Sequence, residues 1–416
     1  MARTHIIGAG LAGLSAAVQL CKAGRDVSLH EGAGHAGGRC RSFFDETLER
    51  RIDNGNHLLL SGNKAALGYL KDIGAEDSLV GPGKAVFPFL DLASNERWTM
   101  AMDKGIIPWW IFSKSRRILG TRPLDYLKAL KLAWAGDEAT VAGCLDTSSA
   151  LYRKFLEPLA VAVLNTDAGE GAASLLWPVI RETFGRGEAA SRPLIAKDGL
   201  SESFIDPALK FLLERGVEVS FNQRLREFRV TDDNVTGLAF ATADVTLGDE
   251  DQVILATPPA VAANLVAGLQ TPTDSRAIVN GHFRLDGETG DISFLGLVGG
   301  VSQWLFVRGD MASVTVSAAD DLADDDADDI AASLWAEVAA ALDLGDAPLG
   351  KHRIVKEKRA TFAQTPQQVK LRRHLSVPWK NLCLAGDWTD TGLPATIEGS
   401  IRSGVTASET VLLSKT

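Results

Sequence analysis

The chain has 416 residues, of which 45% are hydrophobic and 23% are charged, so the composition is that of a folded globular protein and excludes a disordered or fibrous one. Its length predicts two or three structural units with at least one large core. The net charge of −10 argues against a nucleic-acid partner, which would require a basic patch or stripe.

The cysteines and the apolar runs indicate the cellular compartment in which the protein is expected to lie. Cys21, Cys40, Cys144 and Cys383 form no CxxC pair and no metal-ligand spacing, so neither a disulfide framework nor a metal site is predicted. A reducing, cytoplasmic compartment fits best. No run approaches the roughly 18 consecutive apolar residues of a membrane-spanning helix. Residues 1–30 are interpreted as folded structure and not as a signal peptide, because their glycines fall at fixed offsets.

The first predicted elements form a strand–turn–helix–strand unit. Residues 4–7 are β-prone, residues 11–23 have helical periodicity, and residues 27–30 predict a second strand that an acid closes. This order is typical of a dinucleotide site, in which glycines admit the pyrophosphate and the acid binds ribose hydroxyls. The predicted cofactor residues are Gly8, Gly10, Leu11, Ala12, Gly13 and Glu31. A glycine-rich turn without a ligand is the structural alternative.

A second glycine pair indicates which dinucleotide binds. Gly37, Gly38 and Arg39 lie in the stretch GAGHAGGRCRS. This pattern resembles the superfamily of flavin-binding amine oxidases and carotenoid desaturases. The resemblance implies FAD, with Arg39 against its phosphates or the flavin edge. Physically, the glycines let backbone lie beside a cofactor, and arginine offers a planar fork of donors.

The middle of the chain alternates helical and extended patterns. Helices are predicted over residues 64–74, 106–135, 150–165, 172–184, 198–216 and 328–342. Extended segments are predicted over residues 82–98, 253–256, 278–317 and 352–363. The acidic run 320–329 predicts a solvated loop or helix entry. By resemblance to the superfamily, the strand around Leu225 offers backbone groups to adenine.

The last block predicts a second contact with the same cofactor. A strand over residues 382–385 ends in Gly386 and Asp387, and a helix begins near Thr396 and Ile397. The resemblance implies that Asp387 bonds the ribityl or pyrophosphate region. It also implies that the helix N-terminus faces the flavin pyrimidine, where its positive end suits a reduced flavin.

Together these patterns predict an α/β fold with a Rossmann-like FAD-binding domain of the amine oxidase type. That domain is predicted to take residues 1–75, 195–260 and 375–416. A discontinuous substrate domain is predicted from a helical insertion, residues 76–194, and a mixed sheet within residues 261–374.

Several stretches resemble one family of this superfamily, the bacterial hydroxysqualene dehydroxylases. They lie between residues 53 and 404 and include DNGNHLLL, EKRATFAQTP and LAGDWTDTGLPATIEGSIRSG. The family usually has glutamine where this chain has Asn56. The resemblance implies an apolar C30 isoprenoid substrate, hydroxysqualene, whose allylic hydroxyl is lost and replaced by hydride to give squalene on the route to hopanoids.

The resemblance also implies that DNGNHLLL lies beside the flavin. Because imidazole titrates near neutral pH, His57 is the first candidate for the proton donor, with Asp53 orienting it and Asp390 as a second candidate. Asn54 and Gly55 are predicted to contact the cofactor. The structural alternative is a loop fixed by Asx turns, with His57 bonded to backbone.

A hydrocarbon substrate requires an apolar pocket, for which Trp177, Phe294, Trp304 and Phe306 are candidates that suit an ordinary core equally well. Residues 108–117, PWWIFSKSRR, combine apolar and basic residues, which suits a membrane interface. A buried helix with a basic end is the alternative. The predicted location is cytoplasmic, with a possible peripheral contact at the inner face of the membrane.

Two other functions stay open. A carotenoid desaturase or amine oxidase shares the FAD motifs but works in the oxidative direction. A non-enzymatic prenyl-binding chaperone, like the Rab GDP-dissociation inhibitors, shares the architecture, although intact Glu31, Arg39 and Asp387 favour bound FAD. A separate domain for NADPH is not predicted, so free NADPH, a ferredoxin and a separate reductase are all possible electron donors.

Overall fold

A computed structural model describes residues 2–287 and 293–414. Its strands are β1 (Arg3–Ile7), β2 (Asp26–His30), β3 (Ser42–Asp45), β4 (Arg50–Asp53), β5 (Leu59–Leu60), β6 (Leu79–Val80), β7 (Val86–Asp91), β8 (Glu96–Ala101), β9 (Pro193–Ala196), β10 (Val219–Ser220), β11 (Leu225–Thr231), β12 (Asn234–Phe240), β13 (Asp244–Thr246), β14 (Gln252–Leu255), β15 (Ser275–Arg284), β16 (Ser293–Val298), β17 (Trp304–Arg308), β18 (Met311–Ser317), β19 (His352–Phe362) and β20 (Leu382–Leu384). Its α-helices are α1 (Leu11–Lys22), α2 (Lys64–Asp72), α3 (Pro123–Lys128), α4 (Val141–Cys144), α5 (Glu157–Leu164), α6 (Ala173–Glu182), α7 (Glu188–Ser191), α8 (Asp206–Leu213), α9 (Pro259–Leu265), α10 (Ala327–Ala341), α11 (Pro366–Arg373) and α12 (Ile397–Leu413).

The first sheet is parallel and draws its strands from distant parts of the chain. Its order is β10-β2-β1-β14-β20, and every neighbouring pair runs parallel. Ile6, Leu29 and Ile254 are fully buried within it, as expected for strands that are covered on both faces. The carboxyl ends of β1, β2, β14 and β20 therefore meet at one edge, where ligands of open α/β sheets bind.

The second sheet has seven strands in the order β19-β15-β18-β17-β16-β7-β8, with one parallel pair, β16–β7, among antiparallel ones. One face packs its Val279 and Phe283 with Leu334 and Val338 of α10 in a common apolar core. Because side chains alternate along a strand, Asn280 and the residues in step with it point to the other face. Strands β7 and β8 lie within residues 76–194, so that segment contributes sheet as well as helix.

Smaller sheets link the two large ones. Strands β3 and β4 form a hairpin that leads out of the first sheet. Strands β11, β12 and β13 form an antiparallel sheet, and β9 pairs with both β5 and β6. The hairpin ends at Asp53, so the loop that follows lies between the two large sheets.

Most predicted elements are confirmed. Helices α2, α6, α10 and α12 fall where periodicity indicated them, and Gly74 and Gly216 adopt positive φ values of 71° and 77° after α2 and α8. The acidic run is largely exposed, and the Asp326 carboxylate caps α10 by accepting from the Asp328 amide. The part of the predicted sheet at residues 288–292 lies outside the described residues.

The helix predicted over residues 106–135 is wrong for its first half. That part contains one 3-10 turn, Trp109–Phe112, and α3 begins only at Pro123. Pro108 and Gly120 interrupt the helical pattern, since proline removes a donor and Gly120 takes a positive φ of 82°. The four cysteines carry free thiols. Within the described ranges, no helix is long and apolar enough to cross a bilayer.

Candidate active site

The glycine turn after β1 has the shape of a dinucleotide cradle. A Cβ on Gly13 would lie 1.9 Å from the Gly8 carbonyl oxygen, so the helix and the strand pack too closely for any side chain there. Gly8 itself has a φ of 107°. Around Gly10, by contrast, no described atom lies within 4 Å of the Cβ position. The turn is therefore tight on its protein side and open at Gly10, where a pyrophosphate would lie.

The N-terminus of α1 suits a negatively charged ligand. Within the described residues, no side chain caps this helix and no acid occupies its first turn. Leu11 and Ala12 begin the helix and are buried. The first amides of the helix are therefore available to a phosphate, which the helix dipole also attracts.

Glu31 follows β2 at the same sheet edge. Its two carboxylate oxygens accept hydrogen bonds from the amides of Ala9 and Ala33, both at 2.8 Å. The Glu31 carbonyl accepts from the amide of Gln223, two residues before Leu225. The predicted ribose acid and the predicted adenine strand are thus brought together beside the glycine turn.

The second glycine pair packs onto the first. The Gly37 amide donates to the Ala9 carbonyl at 2.8 Å, and Gly37 and Gly10 form a parallel bridge. Gly37 and Gly38 have φ values of 99° and 57°, which favour glycine. This turn directs Arg39 toward the far end of the chain, where its guanidinium donates to the Asp387 carboxylate at 2.8 Å and to the Ala360 carbonyl.

The C-terminal block returns to the same edge. Gly386 follows β20 with a φ of 150°, and a Cβ there would meet the Trp388 ring at 2.5 Å. The Thr396 hydroxyl caps α12 by accepting from the Gly399 amide at 3.1 Å, and Ile397 begins that helix and is buried. The two predicted flavin signatures therefore lie together.

A buried arginine holds the loop between Asp387 and α12. The Arg372 guanidinium donates to the carbonyls of Asp387, Thr389 and Leu393 and to the Thr391 hydroxyl. Burial lowers its pKa to about 10, which still leaves it charged at neutral pH. The loop is thus fixed by one side chain whose charge is stabilised mainly by carbonyl oxygens.

The loop DNGNH is bonded to the polar face of the seven-stranded sheet. The Asn56 side-chain amide donates to the Thr315 hydroxyl at 3.1 Å, and that hydroxyl donates to the Asn280 side-chain oxygen at 2.8 Å. The Asn280 amide donates to the Asn54 carbonyl, and a Cβ on Gly55 would lie 3.3 Å from Asn280. A chain of amides therefore fixes the loop between the two sheets.

Asp53 is an anchor within this loop. One carboxylate oxygen accepts from the Ser42 hydroxyl at 2.6 Å and from the Leu200 amide at 2.9 Å. The other accepts from both terminal nitrogens of Arg308, at 3.2 and 3.3 Å. No hydrogen bond joins Asp53 to His57 among the described atoms, so Asp53 acts on that imidazole through its charge.

His57 is half-buried and lines a small cavity. Removal from water lowers the pKa of His57, the Asp53 carboxylate raises it, and the Arg39 guanidinium lowers it. The imidazole is therefore mainly neutral at neutral pH and takes up a proton more readily as the pH falls. The polar lining of the cavity includes Asp53, Asn56, His57, His282 and Arg308, and its apolar lining includes Ile195, Leu200, Phe306 and Met311.

Asp390 lies apart from these groups. It is exposed, and its carboxylate accepts from the Gly392 amide two residues on, at 3.4 Å. It is absent from the described lining of the cavity that holds His57. This arrangement indicates that the Asp390 carboxylate stabilises a local turn.

The aromatic candidates fall in two places. Phe306 lines the cavity, whereas Phe294 and Trp304 lie with ring centroids 6.4 Å apart and extend to Phe87 and Phe89. Trp177 of α6 packs against the same apolar core. Phe306 therefore belongs to both the cavity lining and the apolar core that holds the other aromatic rings.

Several site residues were not predicted from the sequence: Asn280, His282, Arg308, Thr315 and Arg372. His282 is buried, its Nδ1 lies 2.8 Å from the Ser313 hydroxyl, and burial lowers its pKa to about 4. Polar residues at alternating positions of an apolar strand, as in β15, were an available signal. Nothing in the sequence marks Arg308 or Arg372 among the other arginines.

A fold that brings two flavin signatures to one sheet edge, with a polar loop between them and a second sheet, defines a flavin-dependent oxidoreductase. The family of flavin containing amine oxidoreductases matches residues 11–287 and 298–412. The chain is 46% identical to the hydroxysqualene dehydroxylase of Sinorhizobium fredii and 47% identical to that of Rhodopseudomonas palustris, each over 409 residues that cover 98% of both chains. It belongs to the flavin containing amine oxidoreductases and, within them, to the hydroxysqualene dehydroxylase family.

Solved structures agree on the fold. A triple mutant of putrescine oxidase aligns with a TM-score of 0.72 at 16% identity, covering 100% of this chain and 99% of that one. This likeness concerns the fold alone. Carotenoid desaturases are more distant relatives of the chain. The predicted α/β fold of the amine oxidase type and the predicted family are confirmed.

Proposed function

We propose that the chain reduces hydroxysqualene to squalene, using FAD as its flavin. The observation that carries this proposal is the DNGNH loop, which Asn280 and Thr315 fix to the seven-stranded sheet and whose His57 lines a cavity together with apolar residues such as Phe306. Such a site offers a titratable group beside a place for a hydrocarbon. The similarity to curated hydroxysqualene dehydroxylases over 98% of the chain supports the same substrate.

The residues present fit FAD. Gly10 leaves the space that a pyrophosphate needs, and Glu31 lies at the end of β2 where a ribose would be. Arg39, Asp387 and the N-terminus of α12 would hold the ribityl and flavin part. Reduced FAD, when bound, supplies the hydride. We propose the segments 1–75, 195–260 and 375–416 as the FAD-binding domain and residues 76–194 and 261–374 as the substrate domain.

The protein's own task is to deliver a proton and to exclude water. His57 would donate a proton to the allylic hydroxyl, so that the C–O bond breaks and water leaves. The hydride would complete the exchange by forming a new C–H bond at the allylic carbon, so that one hydride and one proton are consumed and one water is released. Loss of water leaves an allylic cation, and the aromatic group around Phe294 and Trp304 would keep bulk water from recapturing it.

The substrate and the reductant come from outside the chain. A C30 hydrocarbon partitions into lipid, so we propose that the enzyme takes it up at the cytoplasmic face of a membrane. The electrons would come from an external donor, either NADPH, a ferredoxin or a separate reductase.

The test is anaerobic turnover of hydroxysqualene by photoreduced enzyme, with squalene detected by mass. The expected result is squalene in an amount that matches the flavin reduced. Dehydrogenation of a carotenoid precursor by the oxidised enzyme, with hydroxysqualene unchanged, would instead establish a desaturase. A protein purified without flavin absorbance, which also fails to bind added FAD, would indicate a prenyl-binding chaperone.

A further inference from the structure

Large apolar side chains are exposed in one part of the molecule. In the described ranges, fifteen such side chains are strongly exposed, and eight of them lie between residues 106 and 134. These eight, which we call the apolar face, are Ile106, Ile107, Trp109, Phe112, Leu124, Leu127, Leu130 and Trp134. Trp109 is 61% exposed and Trp134 is 79% exposed. Single exposed apolar residues are ordinary, but a group of this size marks an interaction surface.

The segment under the apolar face is firmly packed. Trp110 is buried, and its ring meets Tyr126 edge-on with centroids 5.2 Å apart. The Tyr126 hydroxyl accepts from the Ile118 amide at 2.9 Å. Leu132 is buried as well. The segment therefore has one side in the core, and the outward apolar side chains are not the result of loose packing.

The charge around the apolar face is opposite to that of the whole protein. Residues 103–134 contain seven basic and two acidic residues, a net charge of +5, in a chain whose net charge is −10. Arg116 is paired with Asp103. The exposed basic residues are Lys104, Lys114, Arg122, Lys128 and Lys131. They alternate with the apolar side chains along this segment and would meet negative groups at the rim of a contact.

We propose that the apolar face docks on a lipid bilayer with anionic headgroups. Its side chains enter the boundary between headgroups and acyl chains, while the basic residues lie against lipid phosphates and carboxylates. Charge complementarity selects this partner, because a second copy would bring two faces of +5 together. The docking is confined to one leaflet, since the described helices are too short or too polar to span. It does not depend on which substrate the enzyme reduces.

Flotation of the holoenzyme tests this proposal. The probes are vesicles of phosphatidylcholine alone and vesicles that also contain phosphatidylglycerol. Wild type is expected to float with the anionic vesicles at least about tenfold more strongly than with the neutral ones. The triple variant Trp109→Ser, Phe112→Ser, Trp134→Ser is expected to lose about tenfold or more of its partition coefficient. Trp110 stays unchanged because it is part of the core.

The matched control is Leu213→Ser, since Leu213 is 62% exposed and lies on α8 outside the apolar face. It is expected to float as wild type does. The preference for anionic vesicles is expected to be lost in the variant Lys114→Gln, Arg122→Gln, Lys128→Gln, Lys131→Gln. Salt at about 0.5 M should have the same effect on wild type, because it screens exposed charges. Flavin absorbance and thermal unfolding confirm that each variant is folded. If the triple variant is not, the single variants Trp109→Ser and Trp134→Ser replace it.

Three results would overturn the proposal. Wild type that stays with neither kind of vesicle is the first, and folded variants of the apolar face that float as strongly as wild type are the second. The third is a concentration-dependent dimer that variants of the apolar face abolish while vesicle binding is absent, which would make the face a contact between copies.

Discussion

The guanidinium of Arg39 lies 2.8 Å from the carboxylate of Asp387, although the two residues are 348 positions apart in the chain. Arg39 comes from the N-terminal part of the chain, directly after the second glycine turn, whereas Asp387 follows β20 near the C-terminus. Arg372 in turn fixes the carbonyl of Asp387. This contact joins both halves of the predicted cofactor site, so it is the first place to test that site.

We expect Arg39→Lys to weaken flavin binding about tenfold, because an ammonium cannot donate in two fixed directions to Asp387 and to the Ala360 carbonyl. The loss of folding free energy should be only about 1 kcal/mol, since the guanidinium is partly exposed and water screens the pair. Flavin titration followed by fluorescence measures the first, and urea unfolding the second. Wild-type flavin affinity in Arg39→Lys would remove Arg39 from the cofactor site.

Alanine substitutions at two glycines of the same turn should affect different properties, flavin affinity at Gly10 and folding at Gly13. Gly10→Ala places a Cβ in open space, so the apoprotein should keep its stability while flavin affinity falls about tenfold or more, since the Cβ occupies the place of the pyrophosphate. Gly13→Ala forces its Cβ against the Gly8 carbonyl and should prevent folding. Thermal unfolding with and without FAD distinguishes the two. Equal flavin affinity in Gly10→Ala and wild type would contradict the proposed binding mode.

Local patterns predicted much of this fold. The glycine turn, the acid after β2 and the helices α10 and α12 depend on residues close in sequence, so periodicity and caps indicate them. The helix predicted over residues 106–135 was wrong in its first half because Pro108 and Gly120 break the helical pattern. Apolar residues in both halves of this segment face outward, which apolar periodicity alone does not indicate, since it normally predicts burial.

The contacts that fix the candidate site could not be predicted. Arg308 is 255 positions from Asp53, and Thr315 is 259 positions from Asn56. Such pairs depend on how two sheets pack, and one sequence does not specify that. The Asp53 carboxylate is bonded to Ser42, Leu200 and Arg308, so its predicted influence on His57 stays a prediction that concerns charge and not a hydrogen bond.

The Thr315 hydroxyl links the loop to the sheet, so its removal should loosen the loop. Thr315→Val keeps the shape but loses the bonds with Asn56 and Asn280 and should reduce the free energy of unfolding by about 2 kcal/mol, because buried amides are left unpaired. Turnover should fall while flavin content is kept. Thr315→Ser, which retains the hydroxyl, is the matched control and should resemble wild type. Equal stability of the valine and serine variants would mean that the hydroxyl contributes nothing.

If His57 delivers the proton, turnover depends on its protonated fraction. Burial lowers the pKa of His57 below 6.5, so turnover should rise as the pH falls from 8 toward that pKa, by up to about tenfold per pH unit. His57→Asn should be slower by about 100-fold or more and should lose this dependence. Asp53→Asn should move the profile to lower pH, because Asp53 raises the pKa of His57. His57→Asn with bound flavin and wild-type turnover would exclude this role.

The buried His282 should make the folded protein less stable in acid. Burial lowers the pKa of His282 to about 4, whereas in the unfolded chain it is about 6.5. Above pH 6.5 the imidazole is neutral in both states and has no effect. Between these two values mainly the unfolded state binds the proton, so the free energy of unfolding decreases as the pH decreases, and at pH 5 the loss is about 2 kcal/mol.

His282→Asn lacks this proton, so its free energy of unfolding should fall less than that of wild type between pH 7.5 and pH 5 in urea titrations. The same substitution at the exposed His374 is the control and should leave the wild-type slope. An unchanged slope in His282→Asn would show that the buried imidazole accepts a proton without cost.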